Sequence, residues 1–515
     1  MTDKLGLLCN LVLHEDIHLI DLIFIEFCFS IHCVHLVYFR FFTNGQVSNY
    51  LNVPEVHLFV NSRLHLTVYR KLSSKISHFL EEFHVSKILR SCNAYKVRGF
   101  SAKTVFQVAF ENAFSNKSFF QKEKETLPSL PFAKDTFYRF MNSCSVNWRK
   151  FTLQLGFAVI HKIAPLTDES RRNVLIIDDS LFSRSRSKKV ELLAKVYDHV
   201  EHKYTKGFRM LTLGWSDGNS FLPLSHCLLS SANRENRLQE ASVGVDARSN
   251  GGKQRKLAQT KATSVLQTLL KEAKAVEIPA KYVLFDTWFC SPISLIQIKE
   301  IGYDVIAMVK KSETIHFRYN GRMQSAPAIF RAATKRRGRA KFLLSVEVEA
   351  VKDSMSTPVK LVFVRNKNNR QEYLILASTD VNLSEEEIIQ TYGKRWNIEV
   401  FFKMCKSFLK LGKENRTMSY DAMTAHVSIV FARYTMLSLE QRRNADKRSI
   451  GDLFFASYDE LQDLRYMDAL LLILKKFIDR IKERMLFMEK ELDEMLNSFL
   501  EKLPLLWHNC LKHCA

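Results

Sequence analysis

Residues 173–180 read NVLIIDDS. Val174, Leu175, Ile176 and Ile177 form a short run that is apolar on both faces, which predicts a buried central strand. The run ends on two aspartates, Asp178 and Asp179. The chain reads as helical before this point and strand-rich after it. The stretch therefore marks the start of an α/β domain, and it poses the question of why a core strand ends in two acids.

A second strand of the same kind stands at 281–292, KYVLFDTWFCSP, and it ends in Asp286. Between the two, VYDHVEHKYTKGFRMLTLGWSDGNSFLPLSHCLL (196–229) predicts two or more strands with a turn at Ser216-Asp217-Gly218. Residues 230–263 are polar, with Arg234, Arg237, Arg248, Lys253, Arg255 and Lys256 around Gly251-Gly252. They read as a mobile basic loop, either laid along phosphates or simply solvated. A helix, KATSVLQTLLKEAKAV, leads into the second strand. YDVIAMVKK, RAKFLLSVEVEAV, KLVFVRNK and QEYLILAST then make a β-rich region. Ser384 and Glu387 form a capping-box start for a helix that leads into YGKRWNIEVFFKMCK, residues 392–406. From Tyr420 onward the chain reads as helical.

The chain has 515 residues and is 46% hydrophobic, enough for two to four domains. Its 76 lysines and arginines outnumber 54 acids, a net charge of +22. Such a balance points to a polyanionic partner, most often nucleic acid, without separating DNA from RNA. The ten cysteines are scattered without a Cys-x-x-Cys pair, which fits reduced thiols in a cytosol. His508, Cys510, His513 and Cys514 crowd the C-terminus, but a frayed tail is a poor metal site. Residues 8–42 are very apolar, yet Asp21, Glu26, His32 and His35 interrupt them, so they predict no membrane span. They also lack the marks of a secretory signal. A buried helical segment and an upstream extension of the natural start both remain open. The helices up to residue 165 carry Lys134, Arg139, Arg149 and Lys150, which would suit a helix-turn-helix type DNA reader.

Three acids stand out: one ending each apolar strand, and Glu399 on a helix. Adjacent strands can bring carboxylates together, and such a cluster needs a counter-charge, which Mg²⁺ supplies. Two such ions activate a nucleophile and stabilise the leaving oxygen at a phosphodiester. Taken singly, each aspartate is also an ordinary turn or capping residue, and a helical glutamate is ordinarily solvated. Asp217 reads as a turn residue and Asp198 as a strand residue. Tyr392, Arg395, Glu399 and Lys406 fall at i, i+3, i+7 and i+14, close to one stripe of a helix.

Tyr-x2-Arg-x3-Glu-x6-Lys resembles the third-acid signature of the insertion-sequence transposases of the "IS four" group, DDE enzymes on an RNase H-like fold. All four positions match, and Trp396 follows the arginine as in that group. Asp-x-Ser at 178–180, the aspartate after the later strand, and the β-rich stretch before Glu399 are similar to the group's other features. The resemblance covers roughly residues 170–440. It implies an α/β fold: an RNase H-like DDE catalytic core over 170–440 with a β-rich insertion at about 300–380. A helical region over 1–165 would bind DNA ends, with the first ~45 residues of doubtful role. A helical region over 441–515 would serve dimerisation.

The resemblance further implies that Asp178, Asp286 and Glu399 hold Mg²⁺ or Mn²⁺, as two ions. Asp179 is the alternative first acid, since neighbours on a strand point to opposite faces. Tyr392, Arg395 and Lys406 would contact the DNA backbone, and so could Lys403, one turn from Glu399. Trp288 would either stack on an unpaired base or sit in the core. The partners would be transposon inverted-repeat ends and target DNA, held by a homodimer, with no membrane role. The place would be the bacterial cytoplasm, at the nucleoid. The competing readings are an RNase H-like nuclease without strand transfer and an inactive copy that only binds DNA.

Overall fold

The computed structural model describes residues 75–114, 132–166, 171–337, 340–366, 372–414 and 417–443, with positions 450, 452, 453 and 457. The expectations for residues 1–45, for the C-terminal Cys/His group and for nearly all of 441–515 lie outside the described residues.

The described chain opens with helices α1 (Lys75–Glu82), α2 (Val85–Ser91), α3 (Ala102–Glu111), α4 (Lys134–Met141) and α5 (Trp148–Ile163). Four strands follow: β1 (Val174–Ser183), β2 (Ala194–Asp198), β3 (Lys203–Ser216) and β4 (Phe221–Leu229). Then come α6 (Asn250–Ala258), α7 (Ala262–Ala275), β5 (Tyr282–Phe285), α8 (Pro292–Ile301) and β6 (Asp304–Val309). The β-rich stretch consists of β7 (His316–Tyr319), β8 (Arg322–Ser325), α9 (Ala326–Ala332), β9 (Phe342–Lys352), β10 (Met355–Arg365) and β11 (Tyr373–Ser378). Helices α10 (Glu385–Gly393), α11 (Trp396–Ser407) and α12 (Tyr420–Arg443) close it.

All eleven strands join one sheet in the order β2-β3-β1-β5-β6-β11-β10-β9-β7-β8, with β4 also on β3. Only β1 with β5 and β5 with β6 run parallel; the other pairs are antiparallel. Strand β1 is central, and Val174 to Ile177 are fully buried, as an apolar run with neighbours on both edges must be. It does not stop at the aspartates. Every residue from Val174 to Ser183 has a partner on β3, so both acids lie within the strand. The reason is the length of β3, which carries the pairing five residues past Asp178, to Ser183 opposite Gly207.

Helix α12 is buried all round from Tyr420 to Leu439, so its neighbours must satisfy its polar groups. Arg433 has its guanidinium 2.7 Å from Glu414 Oε2, and its Nε–H donates to the Phe110 carbonyl at 2.8 Å. His426 Nε2 accepts the Gly412 N–H at 3.1 Å, and His226 Nε2 lies 2.9 Å from Ser428 Oγ.

The region expected to be a mobile basic loop contains a helix, α6. Ser249 caps it by accepting from the Gly252 N–H at 3.0 Å. Its Arg255 is buried, with Nε 2.6 Å from Glu191 Oε1 and Nη2 2.7 Å from Asp421 Oδ2. This residue ties α6 to α12 and is not offered to phosphate. Gly251 permits the approach, because a Cβ there would lie 2.5 Å from Asp421 Oδ1. Arg149 is likewise committed internally, 2.9 Å from Glu272 Oε1. Among the described residues no helix is long and apolar enough to cross a membrane.

Burial holds His226 down at about 3 and His426 at about 4. The unfolded chain protonates both near the ordinary histidine value, so stability present at pH 7 is lost as pH falls below ~6.5. By pH 5 the loss should reach about 2 kcal/mol per histidine. Urea unfolding at pH 7 and pH 5 should show a clearly smaller drop for the His226→Gln/His426→Gln double variant than for the native chain. Equal drops would mean that these histidines do not carry the acid sensitivity.

Candidate functional site

The two strand-borne acids meet through register. Parallel pairing aligns Ile176 with Leu284, and Asp178 and Asp286 each stand two residues further on. Asp286 lies just past β5, where its Oδ1 accepts the Trp288 N–H at 3.0 Å. Asp178 Oδ1 accepts the Asp179 N–H at 2.8 Å, and its Oδ2 accepts from Arg395 Nη1 at 3.0 Å. The other arm of Arg395 donates to Glu399 Oε1. One guanidinium thus joins an acid on the central strand to the acid on α11.

Helix geometry places that arginine. Tyr392, Arg395, Glu399 and Lys406 do not share one continuous helix: α10 ends at Gly393 and α11 begins at Trp396. The joint is a tight turn in which Arg395 N donates to the Tyr392 carbonyl at 2.9 Å and Ile398 N to the Arg395 carbonyl at 3.2 Å. These are i→i−3 bonds, and in such a turn residues i and i+3 eclipse. Tyr392 and Arg395 therefore stack, with the guanidinium carbon 6.0 Å from the ring centre. From Arg395 onward, Glu399 lies one turn away. The expected capping box starts α10, with Ser384 and Glu387 bonding reciprocally.

The electrostatics follow from burial. Burial pushes Asp178 up to about 7, opposed by Arg395 and reinforced by the Asp286 carboxylate. Asp286 is also raised by burial, with the Trp288 N–H and Arg395 pulling the other way. Arg395 is raised: burial lowers it, but Tyr392, Asp178 and Glu399 outweigh that. The Tyr392 hydroxyl is pushed above its ordinary value by burial, and it has no hydrogen-bond partner in the described structure. Lys406 donates to Ser180 Oγ at 2.6 Å, two residues beyond Asp178 on β1. Burial lowers Lys406 from the ordinary lysine value.

Asp179 has a different partner. Arg209 on β3 donates to it twice, through Nε at 2.8 Å and through Nη2. The strand alternation separates the two aspartates, with Asp178 towards Arg395 and Asp179 towards Arg209. The sequence alone did not reveal Arg209. Finding it requires the β1–β3 register, which sets Arg209 opposite Leu181. Trp288 is 67% exposed, so it is not a core tryptophan. Lys403 is exposed. Asp217 is a turn former, as expected, with Oδ1 accepting the Asn219 and Ser220 N–H groups at 2.9 and 2.8 Å. Asp198 ends β2, and its Oδ1 accepts the Val200 N–H at 2.9 Å.

Among the described residues no group of three or more His, Cys, Asp and Glu side chains is already arranged around a metal position. Asp178 and Glu399 lie on either side of the Arg395 guanidinium. The donors are nonetheless three carboxylates without sulfur or imidazole, and an unpartnered tyrosine hydroxyl is buried beside them. That set suits a hard divalent cation such as Mg²⁺.

Residues 116–367 match a family model described as "DDE superfamily endonuclease". Residues 339–439 match one described as "Archaeal putative transposase ISC1217". No curated protein matches the chain. The two matches support a DDE-type transposase or endonuclease, and the second spans Tyr392, Arg395, Glu399 and Lys406.

The two aspartates should separate in stability measurements. Asp179→Asn weakens a charge-assisted double hydrogen bond to Arg209 and should cost about 1–3 kcal/mol. Asp178→Asn removes a carboxyl whose ionisation burial disfavours. That carboxyl makes stability fall as pH rises from the ordinary carboxylate range to about 7. At pH 8 the Asp178 variant should therefore be no less stable than the native chain, while the Asp179 variant unfolds at lower denaturant. The reverse order would overturn the assignment of partners.

Proposed function

We propose that the chain is a DDE transposase of an insertion sequence, on an RNase H-like catalytic core. The sheet order β4-β3-β1-β5-β6, antiparallel up to β1 and parallel beyond it, supports that core. The observation that carries the reading is the Arg395 guanidinium shared by Asp178 and Glu399, with Asp286 in register with Asp178 just past the neighbouring parallel strand. The two family matches point the same way.

In this reading Asp178, Asp286 and Glu399 hold one or two magnesium or manganese ions. Asp179 stays in its pair with Arg209. Bound there, the metal would supply Lewis-acid charge and an activated water for phosphodiester cleavage and strand transfer. The protein's own groups have separate tasks. Arg395 offers a planar two-armed donor that suits a phosphate as well as it suits two carboxylates. Lys406 adds a second cation beyond Glu399, and exposed Lys403 lies one turn along the same helix. Tyr392 holds a free hydroxyl beside Arg395 for a phosphate oxygen. Exposed Trp288 offers a ring to an unpaired base.

Strands β7–β11, within 300–380, form the β-rich insertion. Residues 1–165 bind DNA ends and 441–515 serve dimerisation on paired ends. The protein acts at DNA in the bacterial cytoplasm. A nuclease without strand transfer is the second reading, favoured by the endonuclease description of the longer match.

Glu399→Gln should abolish Mg²⁺-dependent cutting of a transposon-end duplex while leaving gel-shift binding within about twofold. Cutting at the native rate would remove Glu399 from the triad. Joined products in the native reaction would decide for transposase, and cut ends alone would decide for nuclease.

A further inference from the structure

Beyond the acids, the β2–β3 hairpin carries rings and charges that the reading above leaves unused. Tyr197 on β2 pairs in register with Tyr204 on β3, their ring centres 5.3 Å apart. His199 is 5.1 Å from Tyr197 and 6.2 Å from Trp288. The four rings form a continuous row from the hairpin to the residue that holds Asp286 by its N–H. Tyr204 is 73% and Trp288 67% exposed, and His199 is exposed as well. Tyr197 is half-buried among them, and a row of large rings with three of its four members exposed marks an interaction surface.

The charges beside the row name its partner. Lys195 and Lys206 are directly opposed on the same hairpin, two positions from the tyrosine pair and on the tyrosines' side of the strands. Like charges directly opposite destabilise a sheet. Neither lysine forms an ion pair in the described structure. A polyanion laid across the hairpin relieves that repulsion. A row of rings with a pair of cations at its end suits a nucleic-acid strand whose bases are unpaired, since each base presents a stacking face and each linkage a phosphate. The row begins two residues from Asp286, so the bases it takes are those next to the phosphate held at the acids.

We propose that Trp288, His199, Tyr197 and Tyr204 form a stacking platform for unpaired nucleobases of DNA opened beside the cleavage point, with Lys195 and Lys206 on its backbone. This rests on the DNA reading above and adds a melted strand as the species bound.

The test uses the full chain and two 2-aminopurine duplexes, one fully paired and one with three unpaired bases. The native protein should prefer the unpaired duplex and quench its fluorescence. His199→Ala/Tyr204→Leu should lower that preference about tenfold and relieve the quenching, with paired-duplex affinity unchanged within twofold and an unaltered melting curve. Lys195→Gln/Lys206→Gln should weaken both duplexes alike and lower the salt slope by about 1.8. An unchanged preference in the ring variant overturns the platform, as does loss of self-association with the preference retained, which would make the row a contact between copies. Failure of the native protein to bind either duplex would instead overturn the DNA reading itself.

Discussion

A single guanidinium joins the two parts of the candidate site. Arg395 donates to Asp178 on the central strand and to Glu399 on α11. Asp178 could not sit there ionised and alone at low cost: an unpaired buried carboxylate is heavily penalised, and burial already pushes this one up to about 7. The arginine thus sets the position of α11 over the sheet. The tight turn before α11 fixes the arginine, and the buried α12 supports α11 from behind through Phe401 against Phe431 and Tyr434. In the proposed function the same two carboxylates would exchange the guanidinium for a divalent ion, and the released guanidinium would suit a phosphate.

The strand pattern was legible because it depends on local chemistry. VLII and YVLF are apolar on both faces, and both became buried strands beside each other. Ser384 and Glu387 stated the start of α10 through a reciprocal bond that needs only three residues. Other features depend on partners far along the chain. The sequence stretch DDS looked like a strand end, but β3 continues the pairing to Ser183. Arg255 looked like a loop cation, and only the folded chain brings Glu191 and Asp421 to it. The single stripe proposed for Tyr392 to Lys406 assumed regular helix, and the i→i−3 turn at Arg395 breaks it while keeping its neighbours together.

The choice between Asp178 and Asp179 shows the same limit. Strand alternation says that the two face opposite ways, but not which way is inward to the site. Two arginines distinguish them: Arg395 from the helix side pairs with Asp178, and Arg209 from the next strand with Asp179, which is why the proposed site uses Asp178. Both contacts span tens to hundreds of residues in sequence. Trp288 is similar, since only its exposure in the folded chain excludes a core ring.

The central claim is that Asp178, Asp286 and Glu399 belong to one cation site. Fe²⁺ bound in place of Mg²⁺ cuts the peptide backbone near its ligands when ascorbate and peroxide are added. The account predicts cuts around residues 178, 286 and 399 together, all competed by Mg²⁺ and all lost in Asp286→Asn. Cuts confined to one of these segments, or persisting unchanged in that variant, would contradict it.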